Sequence, residues 1–410
     1  RASIDPSGAT PAAENSVNDP NPDTSVPEIL YVLIESADEL RVVFNEGLDA
    51  LTGELVEAEV GLLQNGNFVA LEYNLLNAIW EASAPKELYL SFDGGFAPPL
   101  IYTLRLQGVA DCWGNSAVNI QGNFAVPETA QPRDLVINEL LSNPRATGID
   151  FVEIYNRSPR NISLQGWQLA RESGGQPESA KIITELPLVL LSGDYVYLST
   201  SAAIVKAEYP IANENKGLDM ASFPSYNNDD GIVLLIAPDE SVMDRLVYNP
   251  EMQYPLLNSS DGVSLERVNP DVESSIETNW HSASGTAGYA TPGLRNSQYA
   301  ESPSISGSLQ TSPEVFSPDN DGYEDVVQIA YALNAPGFTG SITIYDQAGR
   351  LVRRLVQQEL LGGEGIFIWD GINENRTKSG MGIYILFLEA FDPSGNVIQL
   401  RTTTVLGHQL

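Results

Sequence analysis

Residues 101–111, IYTLRLQGVAD, decide the fold. Tyr102, Leu104 and Leu106 fall on one side of an extended chain, and Thr103, Arg105 and Gln107 on the other. Side chains alternate across a strand, so this spacing predicts a β-strand with one face buried. The same parity runs through ELRVVFNEGLD (39–49), where Leu40, Val42 and Phe44 share a face. ILYVLIES (29–36) and KELYLSF (86–92) are further short apolar runs. Gly and Pro break these runs at intervals of about 8–12 residues, the spacing of a β-sandwich.

The bulk composition agrees. Of 410 residues, 42% are apolar and only 18% charged, which is enough apolar material for several cores. The length predicts two to four domains at about 100–200 residues each. Gly (34) and Pro (26) are plentiful. There are five lysines: Lys86, Lys181, Lys206, Lys216 and Lys378. Long helices with matched charges are therefore not expected.

Charge and residue chemistry exclude several function classes. The net charge is -33, from 54 acids against 21 bases, so phosphate backbones and anionic lipid are poor partners. No apolar run of about 18 residues is present, so no helix inserts directly into a membrane. His281 and His408 are the two histidines, too few for His-based catalysis or a zinc site. Cys112 is the one cysteine, so no intramolecular disulfide forms, and its expected role is a small core residue. No G-x-S-x-G, H-E-x-x-H or dinucleotide fingerprint occurs, and no enzyme activity is expected. Residues 1–26 are rich in Pro, Ser, Asn and Asp and read as a linker. With Arg1 in first position, that linker predicts that something longer preceded it.

Three stretches resemble known families. In 27–127, VVFNEGLDALTGELVEAEV followed by YTLRLQGVADCWGN resembles bacterial Ig-like domains of the surface-layer type, with Asp111, Gly114 and Asn115 at the closing turn. In 131–300, six ordered blocks resemble the lamin tail domain in its bacterial form: Ile137–Glu139, Asp150–Asn156, Leu164–Leu169, Ser264–Arg267, Asn279–Trp280 and Thr291–Asn296. That resemblance implies an Ig-like sandwich that binds or packs and is not an enzyme. In 303–410, four blocks resemble the Ig-like domain of flagellar hook-capping proteins and C-terminal domains of surface proteins in gliding bacteria. The blocks are the Ser317–Gly322 loop, Tyr345-Asp346-x-x-Gly349-Arg350, Trp369-Asp370-Gly371 and Ser379-Gly-x-Gly-Ile-Tyr384. In the Bacteroidota such terminal domains imply type IX secretion or anchoring.

Candidate sites follow from clustered oxygens and carboxylates. Ser317–Asp325, SPDNDGYED, alternates oxygen donors around a glycine, the way short calcium loops are built. Asp319, Asp321 and Asp325 are the expected ligands of a Ca²⁺ ion. The plainer reading is a turn into a strand, its Asp side chains bonding their own backbone. Tyr226–Gly231, YNNDDG, offers a cation site or, more simply, a hairpin turn. Glu139 and Glu153 fall on neighbouring strands by the family pattern and could act as acid and base. The simpler expectation is that they accept hydrogen bonds from loop backbone or pair with an arginine such as Arg267. Gly362-Gly363-Glu364-Gly365 lacks the Lys-Ser/Thr of a phosphate loop and is expected to turn one strand into the next. Arg350, Arg353 and Arg354 form the basic spot, read as a solvated face. Trp80, Trp113, Trp167, Trp280 and Trp369 are expected to fill the core of their own domain.

The expected architecture is all-β: three tandem Ig-like β-sandwich domains with short joints near 128–131 and 300–304, favouring a stiff, elongated rod. The expected function is non-catalytic adhesion, scaffolding or surface assembly, with the last domain serving export or anchoring. The alternatives are an accessory C-terminal region of a larger secreted nuclease or glycosidase, or a carbohydrate-binding module. Expected partners are cell-surface or secretion-machinery proteins, or other copies of the chain. The expected location is the cell surface or the extracellular medium.

Overall fold

The computed structural model describes residues 24–301, 307–319 and 323–407. The described residues separate into two compact units: residues 24–129 with 160–164 and 186–191, and the rest of the described residues. Both are built of β-strands, and no helix among the described residues is long and apolar enough to cross a membrane.

The first unit is a sandwich of two antiparallel four-stranded sheets. One runs Ile29–Ile34, Glu39–Phe44, Glu87–Phe92, Leu75–Trp80; the other runs Ile120–Ala125, Ile101–Gln107, Glu57–Gln64, Asn67–Ala70. The period-2 reading holds here, because Leu40, Val42, Phe44, Leu104 and Leu106 are all fully buried. Thr103 departs from it. It lies on the other face yet is buried, its Oγ1 donating to Asn123 Oδ1 on the paired strand at 2.9 Å. The Asp111 turn closes as its motif suggests: the carboxylate accepts from Trp113 N (2.9 Å), Asn115 N (2.8 Å) and Asn115 Nδ2 (2.8 Å). Cys112 rides on the outside of that turn and is exposed, which corrects the core assignment. Trp80 is half-buried and packs against this core, Trp113 beside Cys112 is half-buried, and Trp167, Trp280 and Trp369 are buried.

The second unit holds two sheet pairs. A six-stranded sheet is ordered Gly217–Asp219, Tyr195–Ser199, Phe151–Asn156, Leu135–Leu141, Leu265–Arg267, Trp280–Ser282. Its companion is ordered Gln176–Ile182, Gln168–Ser173, Gly231–Ile236, Val242–Tyr248. Every residue of Leu135–Leu141 is buried, so this central strand is covered on both faces. The second pair combines Gly307–Ser312, Val327–Leu333 and Glu364–Trp369 with a five-stranded sheet. The latter is ordered Val315–Phe316, Val397–Leu406, Gly382–Phe391, Thr339–Asp346, Leu351–Leu360. Their shared core contains Phe316, Ile329, Ile344, Trp369, Leu386 and Leu388. The all-β, Ig-like sandwich reading is thus correct.

Candidate functional site

The most unusual chemistry lies in the six-stranded sheet, where three glutamates stand side by side. Glu153 pairs directly with Glu139, and Glu139 pairs with Glu266. Directly paired residues point to the same face, so the three carboxylates form one row across three strands. Tyr197 extends the row at one end and His281 at the other. A bulge between Ile137 and Glu139 sets this up. The extra residue, Asn138, lets Glu139 project to the face opposite Ile137.

All three glutamates have no solvent exposure. A closing strap, residues 290–298, lies over them and supplies most of their hydrogen bonds. Glu139 Oε1 accepts from Ser264 Oγ (2.5 Å) and Thr291 N (2.9 Å). Glu153 accepts from Asn138 Nδ2 (2.8 Å) and Gly293 N (2.5 Å). Glu266 accepts from Thr291 Oγ1 (2.7 Å), Ser297 Oγ (2.8 Å) and Gln298 N (2.8 Å). Every one of these donors is neutral. Burial therefore pushes all three carboxyls up, Glu153 to about 8 and Glu139 well above the usual range. The neighbouring Glu266 and Glu153 charges add to the rise at Glu139. A protonated Glu139 can donate to Thr291 Oγ1, 3.4 Å from its Oε2, while that hydroxyl donates onward to Glu266.

The opposite face carries the buried cation. Arg267 follows Glu266 in the strand and so points the other way. Its Nη1 donates to Asp244 Oδ2 (3.0 Å) and Ile137 O (2.9 Å), and its Nη2 to Val272 O (2.6 Å). The guanidinium also lies 5.6 Å from the Trp280 ring. Asp244 is saturated by Ile137 N (2.8 Å) and Ser274 Oγ (2.5 Å) as well. The expectation of backbone donors to Glu139 and Glu153 is met, but Arg267 is not their partner. The alternation of the strand sends it to Asp244 on the second sheet.

The sequence-derived loop sites differ in how much of them is described. Asp319 and Asp325 are half-buried at the two ends of their loop, while Asp321 lies outside the described residues. Backbone bonds hold the loop base, from Ser317 N to Glu324 O (2.9 Å) and Asp319 N to Ser317 O (2.8 Å). Lys378 Nζ donates to Pro318 O at 2.8 Å. In the other loop, Asp229 and Asp230 are exposed, and Asn228 Nδ2 donates to Asn143 Oδ1 at 2.7 Å before the strand begins at Gly231. Among the described residues, no group of three His, Cys, Asp or Glu is placed to hold a metal. The basic spot is largely neutralised: Arg350 pairs with Asp346 (2.7 Å) and Arg353 with Asp370 (2.9 Å).

Sequence reasoning passed over Glu266 as a member of the row, and Asp244 altogether. The Ser264–Arg267 block contained the signal, since adjacent opposite charges inside an apolar strand require a partner on each face.

Two stretches of the chain match known families. Residues 128–250 match the Lamin Tail Domain family, and residues 310–400 match the CHU_C Type IX secretion signal domain. No curated protein matches the sequence. Among solved structures, the chain is similar to CopC from Methylosinus trichosporium OB3b, with 16% identity and a TM-score of 0.18 over 26% of this chain and 97% of that one. It is similar to the N-terminal part of the bacterial S-layer protein SbsC, with 11% identity and a TM-score of 0.22 over 55% of this chain and 44% of that one. It is also similar to dimeric latent PorU from Porphyromonas gingivalis, with 10% identity and a TM-score of 0.21 over 94% of this chain and 34% of that one. The chain thus spans less than half of the SbsC and PorU chains it matches. It carries a lamin tail domain and, C-terminal to it, a type IX secretion signal domain, and is a modular protein exported to the cell surface or the extracellular space.

Proposed function

We propose that the chain is a non-catalytic surface module. In this reading the lamin tail domain serves adhesion, scaffolding or surface assembly. The C-terminal domain serves export or anchoring through contact with secretion-machinery proteins.

The observation that carries the non-catalytic reading is the closure of the glutamate row. A general acid or base must reach the proton it moves, within about 2.6–3.2 Å of a substrate atom. Here the strap already occupies those positions, with Thr291 N at 2.9 Å and Gly293 N at 2.5 Å. The carboxylates therefore act as a clamp for residues 290–298.

The export role is tested by fusing residues 307–410 to a periplasmic reporter in a bacterium with a working type IX system. Surface display of the fusion, lost when the C-terminal domain is deleted, supports the reading. Retention of the fusion in the periplasm while native cargo is exported refutes it.

Calcium at Asp319, Asp321 and Asp325 belongs to the same proposal. A ligand that binds only the folded state raises the melting temperature once its concentration passes Kd. Melting with millimolar calcium and with chelator decides it, and coincident curves remove the site.

A further inference from the structure

The strap that covers the glutamates has a second side. Ser297 O accepts from Gly363 N of the C-terminal sandwich at 2.6 Å. Gln298 has no solvent exposure, and its amide is divided between the two sandwiches. Its Nε2 donates to Ser282 O (3.0 Å) and Leu361 O (3.3 Å), and its Oε1 accepts from Gly337 N (3.1 Å). Ser284 Oγ donates to Leu360 O at 3.2 Å, and Tyr254 and Thr339 bond through their buried hydroxyls.

Three glycines permit this approach. A Cβ on Gly362 would stand 2.7 Å from Ser297 O, and one on Gly363 3.0 Å from Tyr299 O. A Cβ on Gly337 would stand 3.2 Å from His281 Cε1. Gly362 and Gly363 do link Leu351–Leu360 to Glu364–Trp369, as the sequence suggests. They also let one backbone lie directly against another, which side chains would forbid. Leu361 and Phe338, at this seat, are both 1% exposed and belong to the C-terminal core. The contact is built from buried polar groups that bond across it, from Gly363 N to Ser297 O, Gly337 N to Gln298 Oε1, Gln298 Nε2 to Leu361 O and Ser284 Oγ to Leu360 O.

We infer that the C-terminal domain is a non-covalently seated partner of the lamin tail domain, and remains bound when the chain between residues 301 and 307 is cut. The connecting peptide delivers the domain, but the strap holds it.

The test uses the full chain with a protease recognition sequence inserted between Ser304 and Ile305. The folded protein is cut, then run by size exclusion at about 1 µM, where co-elution requires a Kd near or below that concentration. One peak containing both fragments is expected, and two separate peaks overturn the inference. Gly362→Val in the same background should weaken the association at least tenfold, read as separation of the fragments at a correspondingly higher concentration in a dilution series. Gly380→Ala, whose Cβ meets nothing within 4 Å, should not. If nicked Gly362→Val still co-elutes like the parent, the seat is not the strap contact and the assignment falls. Melting of the uncut variants reports that both sandwiches are folded. Because no step involves export, failure here is distinguishable from failure of the secretion reading.

Discussion

Removing Asp244 should cost more than any surface change, and the structure says why. The side chain accepts from Arg267 Nη1, Ile137 N and Ser274 Oγ, and Arg267 has no solvent exposure. Asp244→Ala leaves a buried guanidinium without its counter-charge and a backbone N–H without its acceptor. Breaking one side of a buried pair costs about 3–5 kcal/mol. For a unit of this size that lowers the melting midpoint by roughly 10 °C. Asp244→Asn keeps the shape: its Oδ1 can still accept from Ile137 and Arg267, and its amide can donate to Ser274. It should lose clearly less than the alanine variant. Adding Arg267→Met to Asp244→Ala removes the orphaned charge, so the double variant should be more stable than Asp244→Ala alone. Scanning calorimetry of these three variants and of Arg267→Met alone is the assay. A loss below about 1 kcal/mol for Asp244→Ala, or a double variant whose losses simply add, would refute the reasoning.

Three other outcomes are expected. Glu153 has a carboxyl raised from 4.5 to about 8, so its contribution to stability is full below pH 4.5 and lost as pH rises through about 8. Between those values the unfolding free energy should fall with pH, by up to about 1.4 kcal/mol per unit per proton, and the melting midpoint with it, and Glu153→Gln should flatten that slope; parallel profiles for the two proteins would count against a protonated Glu153. Gly108 has φ +76°, and a Cβ there would stand 2.4 Å from Leu55 O, so Gly108→Ala should destabilise the first unit by more than about 1 kcal/mol, read by denaturant titration. Cys112 should react fully with a maleimide in the folded protein; labelling only after unfolding would contradict its exposure.

The parts legible in the sequence are those where one sheet face meets the core and the other meets water. Glu39–Phe44 is such a strand, with Leu40, Val42 and Phe44 buried and Glu39 exposed, and parity alone located its core face. Leu135–Leu141 is covered on both sides, so parity carries no information there. The bulge at Asn138 further reverses the alternation in mid-strand. Glu139 and Glu153 were visible as neighbours through the lamin tail pattern, but apart from Asn138 their donors lie 125 to 152 residues away, at Ser264, Thr291 and Gly293. Asp244 and Arg267 meet only because two sheets stack. The exposure of Cys112 follows from the direction of a five-residue turn, which VADCWGN does not specify by composition.

The glutamate row also has a meaning for how the sheet assembles. Without its polar residues, a strand buried along its whole length like Leu135–Leu141 could slide past its neighbours with little penalty, because Leu, Val and Ile replace each other on either side. A slip of one residue turns every side chain over. It would carry Glu139, Glu153 and Glu266 to the side now held by Leu140, Val152 and Leu265, away from the strap N–H groups that receive them. Each wrong alignment would bury acids with nothing to meet them. The three carboxylates thus act as index marks along an otherwise featureless seam, and only the alignment in which all three coincide lets the strap close.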